Sequence, residues 1–512
     1  MSDRETALDR RTLVATLAIA LLLGVFAMND APIGIWKDDG QYLVLARALA
    51  RGDGYRYMNL PGAPAATHFP PGFALLLAPL WWVAPRFPAN VAFFKLVNVA
   101  LLPLAALAVR AFARRIGGLS ALAASSVAVA SVATVPVLLY AGLLCSETAF
   151  IAALCAVLMA ADRLVGRPDG ATRRLSLGVG LAIGGLAMLR TLGGAVLPAV
   201  LAVLLWRRRW ADAALALAGA LVVLVPWQLW ISAHAHEVPT AISGGYGSYG
   251  TWLVDAYRAG GAPLALEVVR HNLNGLLILL ALFGLMHAAW WAKAAAVGAL
   301  LVLAGAGVRR LWPRGPVSLL FFLPYGAAIL VWPFAPERFL WPLWPIIIVA
   351  LVVGAVDLGW GALVPRPGQL AARLAGAGLA ALFVVWHVRT WPTLDFEGVE
   401  RELAREGIAV ARVAASLPSD GLVATDQDVI VHLYAGRPAV PLLALSAEQY
   451  VRQRSDAELA AQAGRVLAAY HPRWVVVAEI ESRRAAQWLA RRGRLRLSGA
   501  YASGVLVYDV LP

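Results

Sequence analysis

Thr12-Leu-Val-Ala-Thr-Leu-Ala-Ile-Ala-Leu-Leu-Leu-Gly-Val-Phe-Ala-Met28 is an uncharged apolar run, and seven residues later comes Trp36-Lys37-Asp38-Asp39-Gly40-Gln41-Tyr42. The first stretch is longer than the roughly 7–15 apolar residues of a signal-peptide core, and no small-x-small cleavage pattern follows it, so it reads as an uncleaved membrane anchor. The second stretch sets two adjacent carboxylates just outside that anchor. A carboxylate at a membrane surface is within reach of both lipid-borne and water-borne molecules. In a chain that is mostly lipid-embedded, the few charged groups at one interface are where chemistry is to be sought.

The rest of the chain agrees with this reading. Of its 512 residues, 60% are hydrophobic, and the mean hydropathy is +0.70. Soluble domains average roughly 45–50% apolar, so this is a polytopic membrane protein. The net charge is +14. Nucleic acid is not needed to explain it, because the excess lies in short loops of one side. Loops 1–11, 113–118, 162–174, 207–210, 309–316 and 361–373 hold 17 arginines in 55 residues. Segments 29–90, 141–145, 190, 233–270 and 335–338 hold nine Lys or Arg in 110 residues. That bias, nearly fourfold, puts the N-terminus in the cytoplasm. Three lysines against 41 arginines suggest a GC-rich bacterial source, hence an inner (plasma) membrane. The two cysteines, Cys145 and Cys155, make neither a disulfide framework nor a CxxC metal site.

Apolar runs able to cross ~30 Å of hydrocarbon lie near 12–28, 91–112, 119–140, 146–162, 211–232, 317–334, 339–357 and 370–388. Residues 175–206 are flanked on both sides by arginine clusters that prefer the cytoplasm, which predicts a hairpin of two short helices with Arg190 at its apex. Residues 272–308 predict a surface helix and then one crossing near 291–308. The count is about eleven transmembrane helices, with the C-terminus outside. Within the outer loop 29–90, residues 40–51 read as an amphipathic helix. Gly72–Val83 is too short to span and is expected in the interface. From about 390 the composition becomes that of a small extracytoplasmic α/β domain. Strands are expected at 422–425, 474–478, 495–500 and 505–508, and helices at 397–416, 447–470 and 481–491. The expected fold is therefore mainly α, with a transmembrane module at 1–389 and a soluble α/β domain at 390–512. No nucleotide-binding GxGxxG opens that domain.

Asp38-Asp39-Gly40-x-Tyr42, Leu45-Ala46-Arg47, Gly52-x-Gly54-Tyr55 and His68-Phe69-Pro70-Pro71-Gly72-Phe73 together resemble the first outer loop of the GT-C glycosyltransferases, the polytopic enzymes related to protein O-mannosyltransferases and lipid A aminoarabinose transferases. Ser146-Glu147 at the start of the fourth span, Leu189-Arg190 in a Gly-rich hairpin, and Glu337-Arg338-Phe339-Leu340-Trp341-Pro342 match as well, so the resemblance covers about 12–390. It implies a polyprenyl-phosphate-linked sugar donor, a glycan, lipid or protein acceptor, and an acidic residue of the first loop acting at the acceptor. The chemistry needs such groups. An acceptor hydroxyl becomes a strong nucleophile as a base removes its proton, and the departing phosphate needs cationic partners in a partly dry site.

On this resemblance Asp38 is the candidate base, although Asp38 with Gln41 also fits a capping box at a helix start. Asp39 is its alternate, and adjacent carboxylates raise one another's pKa. Glu147 is a second catalytic candidate, against the reading that Ser146 caps the fourth span and Glu147 complements its dipole. Arg190, Lys95 and Arg338 are candidates for the donor phosphate, against snorkelling for Lys95 and a plain ion pair for Arg338. Tyr42, His68, Tyr246 and Tyr249 are substrate-loop candidates, the last two in the Gly-rich stretch 243–250. His234-Ala-His236-Glu237 lacks the further ligands of a zinc site and reads as solvated loop. No metal ligand is assigned, and a divalent cation remains a candidate cofactor. The reading is an inverting membrane glycosyltransferase. The rival is a transporter or flippase of envelope glycolipids, which predicts ionisable groups near the bilayer midplane and inverted repeats. A third reading is a non-catalytic assembly subunit whose soluble domain recruits partners.

Overall fold

The computed structural model describes residues 3–167, 172–359, 367–393 and 399–512. Residues 168–171 and 361–366 of the expected inner loops, and 397–398 of the expected helix 397–416, lie outside the described residues. Among the described residues six helices are long and apolar enough to cross a membrane: Val91–Arg115, Glu147–Gly166, Trp210–His234, Tyr249–Phe283, Trp290–Leu311 and Glu337–Asp357. A seventh is Ala121–Val132 with Val135–Gly142, if this pair, bent by 59°, is one span. Pro136 enters the first turn of the second piece, where its missing N–H costs nothing but prevents continuation from the piece before.

The chain divides into two compact units. One draws on Met1–Met28, Val97–Val225 and Val269–Asp395. It is a helical bundle whose interior is aliphatic and aromatic, with Leu102, Phe112, Phe150, Leu154, Leu158, Phe321 and Tyr325 in one core. Without water to drive apolar surfaces together, membrane helices associate by close packing of small residues. Two contacts show this. A Cβ on Gly180 would lie 2.0 Å from the Ala216 carbonyl, and one on Gly219 would lie 2.3 Å from that of Leu177. Likewise Gly307 and Gly354 would bring a Cβ within 2.0 and 1.9 Å of the Ala350 and Leu303 carbonyls. No larger residue fits without parting these helices.

The chain breaks at Arg190, as the flanking basic clusters predict. Helix Arg173–Leu189 ends there, Arg190 is extended (φ −149, ψ 128), and a 3₁₀ turn Thr191–Ala195 leads into helix Val196–Trp206. Gly193 folds back so closely that a Cβ would sit 2.7 Å from the Leu186 carbonyl oxygen.

The second unit draws on Asn29–Leu96, Pro226–Val268 and Phe396–Pro512. Its sheet contains β1 (Val423–Thr425), β2 (Ala439–Pro441), β3 (Trp474–Val477), β4 (Leu495–Ala500) and β5 (Leu506–Val510), in the order β2-β1-β3-β5-β4. β1 is parallel to β2 and β3, whereas β5 is antiparallel to β3 and β4. Val410, Val423, Val431, Val476 and Val507 form a core on this sheet. Helices Asp38–Arg51 and Gly72–Val83 of the outer loop pack on each other in the same unit. The segment 233–270, expected as loop, is helical from Tyr249. Gly261 (φ 62) kinks this helix two residues before Pro263, so the residues that read as breakers bend it instead of ending it.

Candidate functional site

In the second unit, Asp38 opens the helix Asp38–Arg51 and is half-buried. The turn before it is unusual. Lys37 has φ 60 and ψ −53, and the Asp38 N–H donates to the Trp36 carbonyl at 2.6 Å. This is a γ-turn of the rare hand, strained for any residue with a Cβ. The Asp39 carboxylate secures it by accepting the Gly34 N–H at 2.7 Å and the Trp36 N–H at 3.2 Å. Burial, with a smaller push from Asp38, raises Asp39 to about 6. The two carboxylates thus separate: Asp39 is buried and tied into the turn, and Asp38 begins the helix. The capping-box alternative does not hold. Lys37 is the N-cap without a side-chain cap bond, and the Gln41 amide donates to the Gly245 carbonyl at 3.4 Å.

Helix Asp428–Ala435 of the C-terminal part braces this turn. A Cβ on Gly34 would lie 2.8 Å from Ile430 Cγ1, and one on Gly40 would lie 2.5 Å from Val429 Cγ1. The Tyr434 hydroxyl accepts the Ile33 N–H at 3.0 Å. Burial lowers the proton affinity of Lys37, but the carboxylates of Glu479, Asp428 and Asp426 outweigh it and raise its pKa. Asp426 follows the last residue of β1, and Glu479 lies two residues beyond the end of β3. From these neighbouring parallel strands the chain departs in opposite directions, and that is where open α/β sheets place their functional groups. Asp426 accepts the N–H groups of Ala478 and Glu479 at 2.8 and 2.6 Å. Burial and then Glu479 push it up to about 7, and burial also raises Asp428. Sequence reasoning missed these acids. The signal was Asp426-Gln427-Asp428 directly after an apolar strand.

Three of the substrate-loop candidates are packed by aromatic neighbours. Tyr42 lies between Phe69 and Phe73, with ring centres 4.8 and 5.0 Å away. His68 stacks on Tyr249 at 3.9 Å and meets the Gly247 carbonyl through Nδ1 at 2.7 Å, and burial lowers it to about 4, so it is neutral. Tyr246 is buried, hydrogen-bonded to Asp428 and to the Asn59 amide, and burial pushes its pKa well up. The Gly-rich stretch is thereby stapled within its unit. His234 meets the Glu237 carboxylate, whose other oxygen accepts the Ala65 N–H at 2.8 Å, so Glu237 holds the loop 56–65 in place of the expected solvated loop. All three donors of the Lys95 ammonium are taken: Asn29 Oδ1 at 2.6 Å, Ala31 O at 2.8 Å and Asn29 O at 3.1 Å. Lys95 ties down the start of the outer loop.

In the first unit, three candidates meet. One oxygen of Glu147 accepts Arg190 Nη1 at 2.7 Å and Arg338 Nε at 2.6 Å, and its other oxygen, buried, has no hydrogen-bond partner among the described residues. Arg190 also donates to Ser146 Oγ at 3.3 Å. The Arg190 guanidinium lies 5.9 Å from the ring centres of both Phe150 and Phe339, and that of Arg338 lies 5.7 Å from Tyr140. Two guanidiniums share one carboxylate oxygen in aromatic surroundings. Ser146 does not cap the helix with its side chain. Among the described residues no group of three or more His, Cys, Asp or Glu is arranged to hold a metal ion.

No protein-family model matches the chain, and no curated protein matches its sequence. Solved structures do share its fold. The apo crystal structure of ArnT from Cupriavidus metallidurans aligns over 97% of this chain and 97% of its own, at TM-score 0.53 and 16% identity. The Archaeoglobus fulgidus oligosaccharyltransferase in complex with Zn and sulfate aligns over 97% of this chain and 73% of its own, at TM-score 0.55 and 16% identity. The same oligosaccharyltransferase tethered to an acceptor peptide containing the NVT sequon gives 98%, 74%, 0.53 and 13%. The chain has the fold of GT-C glycosyltransferases, the family its sequence motifs resemble.

Proposed function

We propose that this protein is a membrane glycosyltransferase that moves a sugar from a polyprenyl-phosphate-linked donor to an acceptor hydroxyl at the outer face of the inner membrane, inverting the anomeric centre. The observation that carries the reading is the Glu147–Arg190–Arg338 cluster. Two guanidiniums converge on one oxygen of a buried carboxylate in largely desolvated surroundings, and such a pair of fixed planar donors suits an anionic leaving group. Glu147 acts by fixing the arginines, and Lys95 by holding the start of the loop. Asp38 takes the proton from the acceptor oxygen as that oxygen bonds to the anomeric carbon. The bond from that carbon to the donor phosphate breaks, and the phosphate leaves with both electrons, stabilised by Arg190 and Arg338. The fold supports this reading, since the aligned structures are of ArnT and an oligosaccharyltransferase.

Residues 1–389 form the catalytic transmembrane module of about eleven spans and 390–512 an extracytoplasmic domain, with the N-terminus in the cytoplasm. A divalent cation is a candidate cofactor to be tested by chelation. Cysteines at the exposed positions Ser419 and Arg167 check the orientation: a membrane-impermeant thiol reagent is expected to label the first from outside and not the second. The deciding experiment is transfer by the purified chain in nanodiscs from a radiolabelled polyprenyl-phosphate sugar, scored by loss of label from the lipid. Loss in wild type but not in Asp38→Asn supports the reading. Label that crosses the bilayer in proteoliposomes without leaving its lipid would identify a flippase.

A further inference from the structure

Helix Gly72–Val83 has a buried face of Phe73, Ala74, Leu77, Ala78 and Trp81, and its other face is just as apolar. Trp82 and Val83 are 71% and 73% exposed, and Leu75 and Leu76 are exposed beside them. Twelve residues make a helix of about 18 Å, too short to cross ~30 Å of hydrocarbon. A helix of this length with one bare apolar face lies along a membrane surface. Its exposed end is fixed to the neighbouring helix Asp38–Arg51, because the Trp82 indole N–H donates to the Ala50 carbonyl at 2.9 Å.

At that same end of helix Asp38–Arg51 is a cleft of about 210 Å³. Arg47, Arg51 and His432 line it, with Asp53 and Met58. Two guanidiniums face one carboxylate, and the imidazole is neutral, since burial followed by Arg47 and Arg51 lowers it to about 4. The net charge of the lining is therefore +1. Burial and then the neighbouring Arg51 disfavour the charge on Arg47. Arg47 Nε and His432 Nδ1 are buried and have no hydrogen-bond partner among the described residues. A buried donor without a partner is costly, so Arg47 Nε marks a place built for an acceptor.

Arginines near the end of a helix often serve its last carbonyls, but here three of the last four are already engaged. Ala48 O accepts the Asp53 N–H, Leu49 O accepts the Gly52 N–H, and Ala50 O accepts Trp82. The Arg47 guanidinium is instead held above the Trp81 ring, 5.2 Å from its centre, which fixes its plane. A planar guanidinium so held suits an oxyanion.

We infer that this cleft is a binding site for the phosphate headgroup of an anionic bilayer lipid, whose chains lie against the exposed face of helix Gly72–Val83. The inference does not depend on the proposed transfer reaction. The bound lipid pins the helix pair that carries the Asp38 turn to the membrane surface, while Arg190 and Arg338 are left out of it.

Native mass spectrometry of the full chain from detergent, titrated with phosphatidylglycerol or phosphatidylcholine of matched chains, tests this. Wild type is expected to prefer phosphatidylglycerol. Each surface arginine contributes about fivefold to anionic lipid affinity, so Arg47→Gln with Arg51→Gln is expected to weaken phosphatidylglycerol binding about 30-fold. Phosphatidylcholine binding serves as the control that stays unchanged. If the double variant fails to fold, Arg51→Gln alone, at an exposed position, is expected to lose about fivefold. Unchanged phosphatidylglycerol binding in a folded variant overturns the site. Displacement of the lipid by millimolar inorganic phosphate, with no difference between the two lipids, overturns the lipid source and leaves a free-phosphate site.

Discussion

Glu147 in the helical bundle and Asp426 in the second unit are both buried carboxylates, yet they are satisfied in opposite ways. Glu147 is met by two guanidiniums at 2.6–2.7 Å. Asp426 is met by two backbone N–H groups, and burial and then the Glu479 carboxylate raise it to about 7 with only partial relief from Lys37. An apolar bundle tolerates charge where opposite charges pair directly, whereas the second unit tolerates it through backbone donors and protonation. The first arrangement suits a fixed charge that grips an anion, and the second gives a unit whose stability follows pH.

The largest effect is expected from Asp38→Asn, which should cut transfer by roughly 10²–10⁴, the usual share of a general base, measured as turnover on purified folded protein. Asp39→Asn should instead lower the unfolding temperature, because its amide group presents a donor to the N–H groups that the carboxylate accepts. Reversed outcomes would make the buried acid the reactive one.

Next come the arginines. Arg190→Ala should weaken binding of a donor analogue by about 2–5 kcal/mol, and Arg190→Lys should restore only part, since the planar fork is lost. Glu147→Gln removes the carboxylate that two half-buried guanidiniums share and is expected to destabilise the bundle by about 3–5 kcal/mol, read by chemical unfolding. Equal stability of that variant would break the contrast between the two units.

The pH effect is smaller. Asp39 and Asp426 hold a proton more tightly folded than unfolded, so acid favours the folded second unit. Their contribution is full below the ordinary value of 3.8 and declines as pH rises towards about 6 and 7, after which it is flat. The unfolding temperature should follow that slope, and Asp426→Asn should flatten it. A rise over the same window would mean that other groups dominate. Smallest of all, Ser455→Ala removes a complete capping box at an exposed helix start, and should cost about 1 kcal/mol without changing transfer.

Much of this was legible in residues 1–232. Gly72–Val83 and the break at Arg190 follow from length and from charges that cannot cross. What escaped depends on partners far away in the chain. Lys95 reads as a free interfacial cation until Asn29 and Ala31 take its three donors. Helix Asp428–Ala435 and strand Ala439–Pro441 are too short, and too close to Gly436, Pro438 and Pro441, for periodicity to reveal them. The helix from Tyr249 was hidden by Gly260, Gly261 and Pro263. The span count suffered likewise: Thr191–Trp206 and Pro316–Val331 are apolar but short, so length alone recognises six or seven crossings where charge bias implies eleven.

The hydrogen bond from the Ile33 N–H to Tyr434 joins residues 401 apart. A ribosome adding roughly 5–20 residues per second needs about 20–80 s to cover that distance. Throughout that interval the first outer loop exists without Val429, Ile430 or Tyr434, and the strained backbone at Lys37 has only the Asp39 carboxylate to hold it. A truncated product therefore carries every residue of the Asp38 turn and still lacks the brace that packs on it.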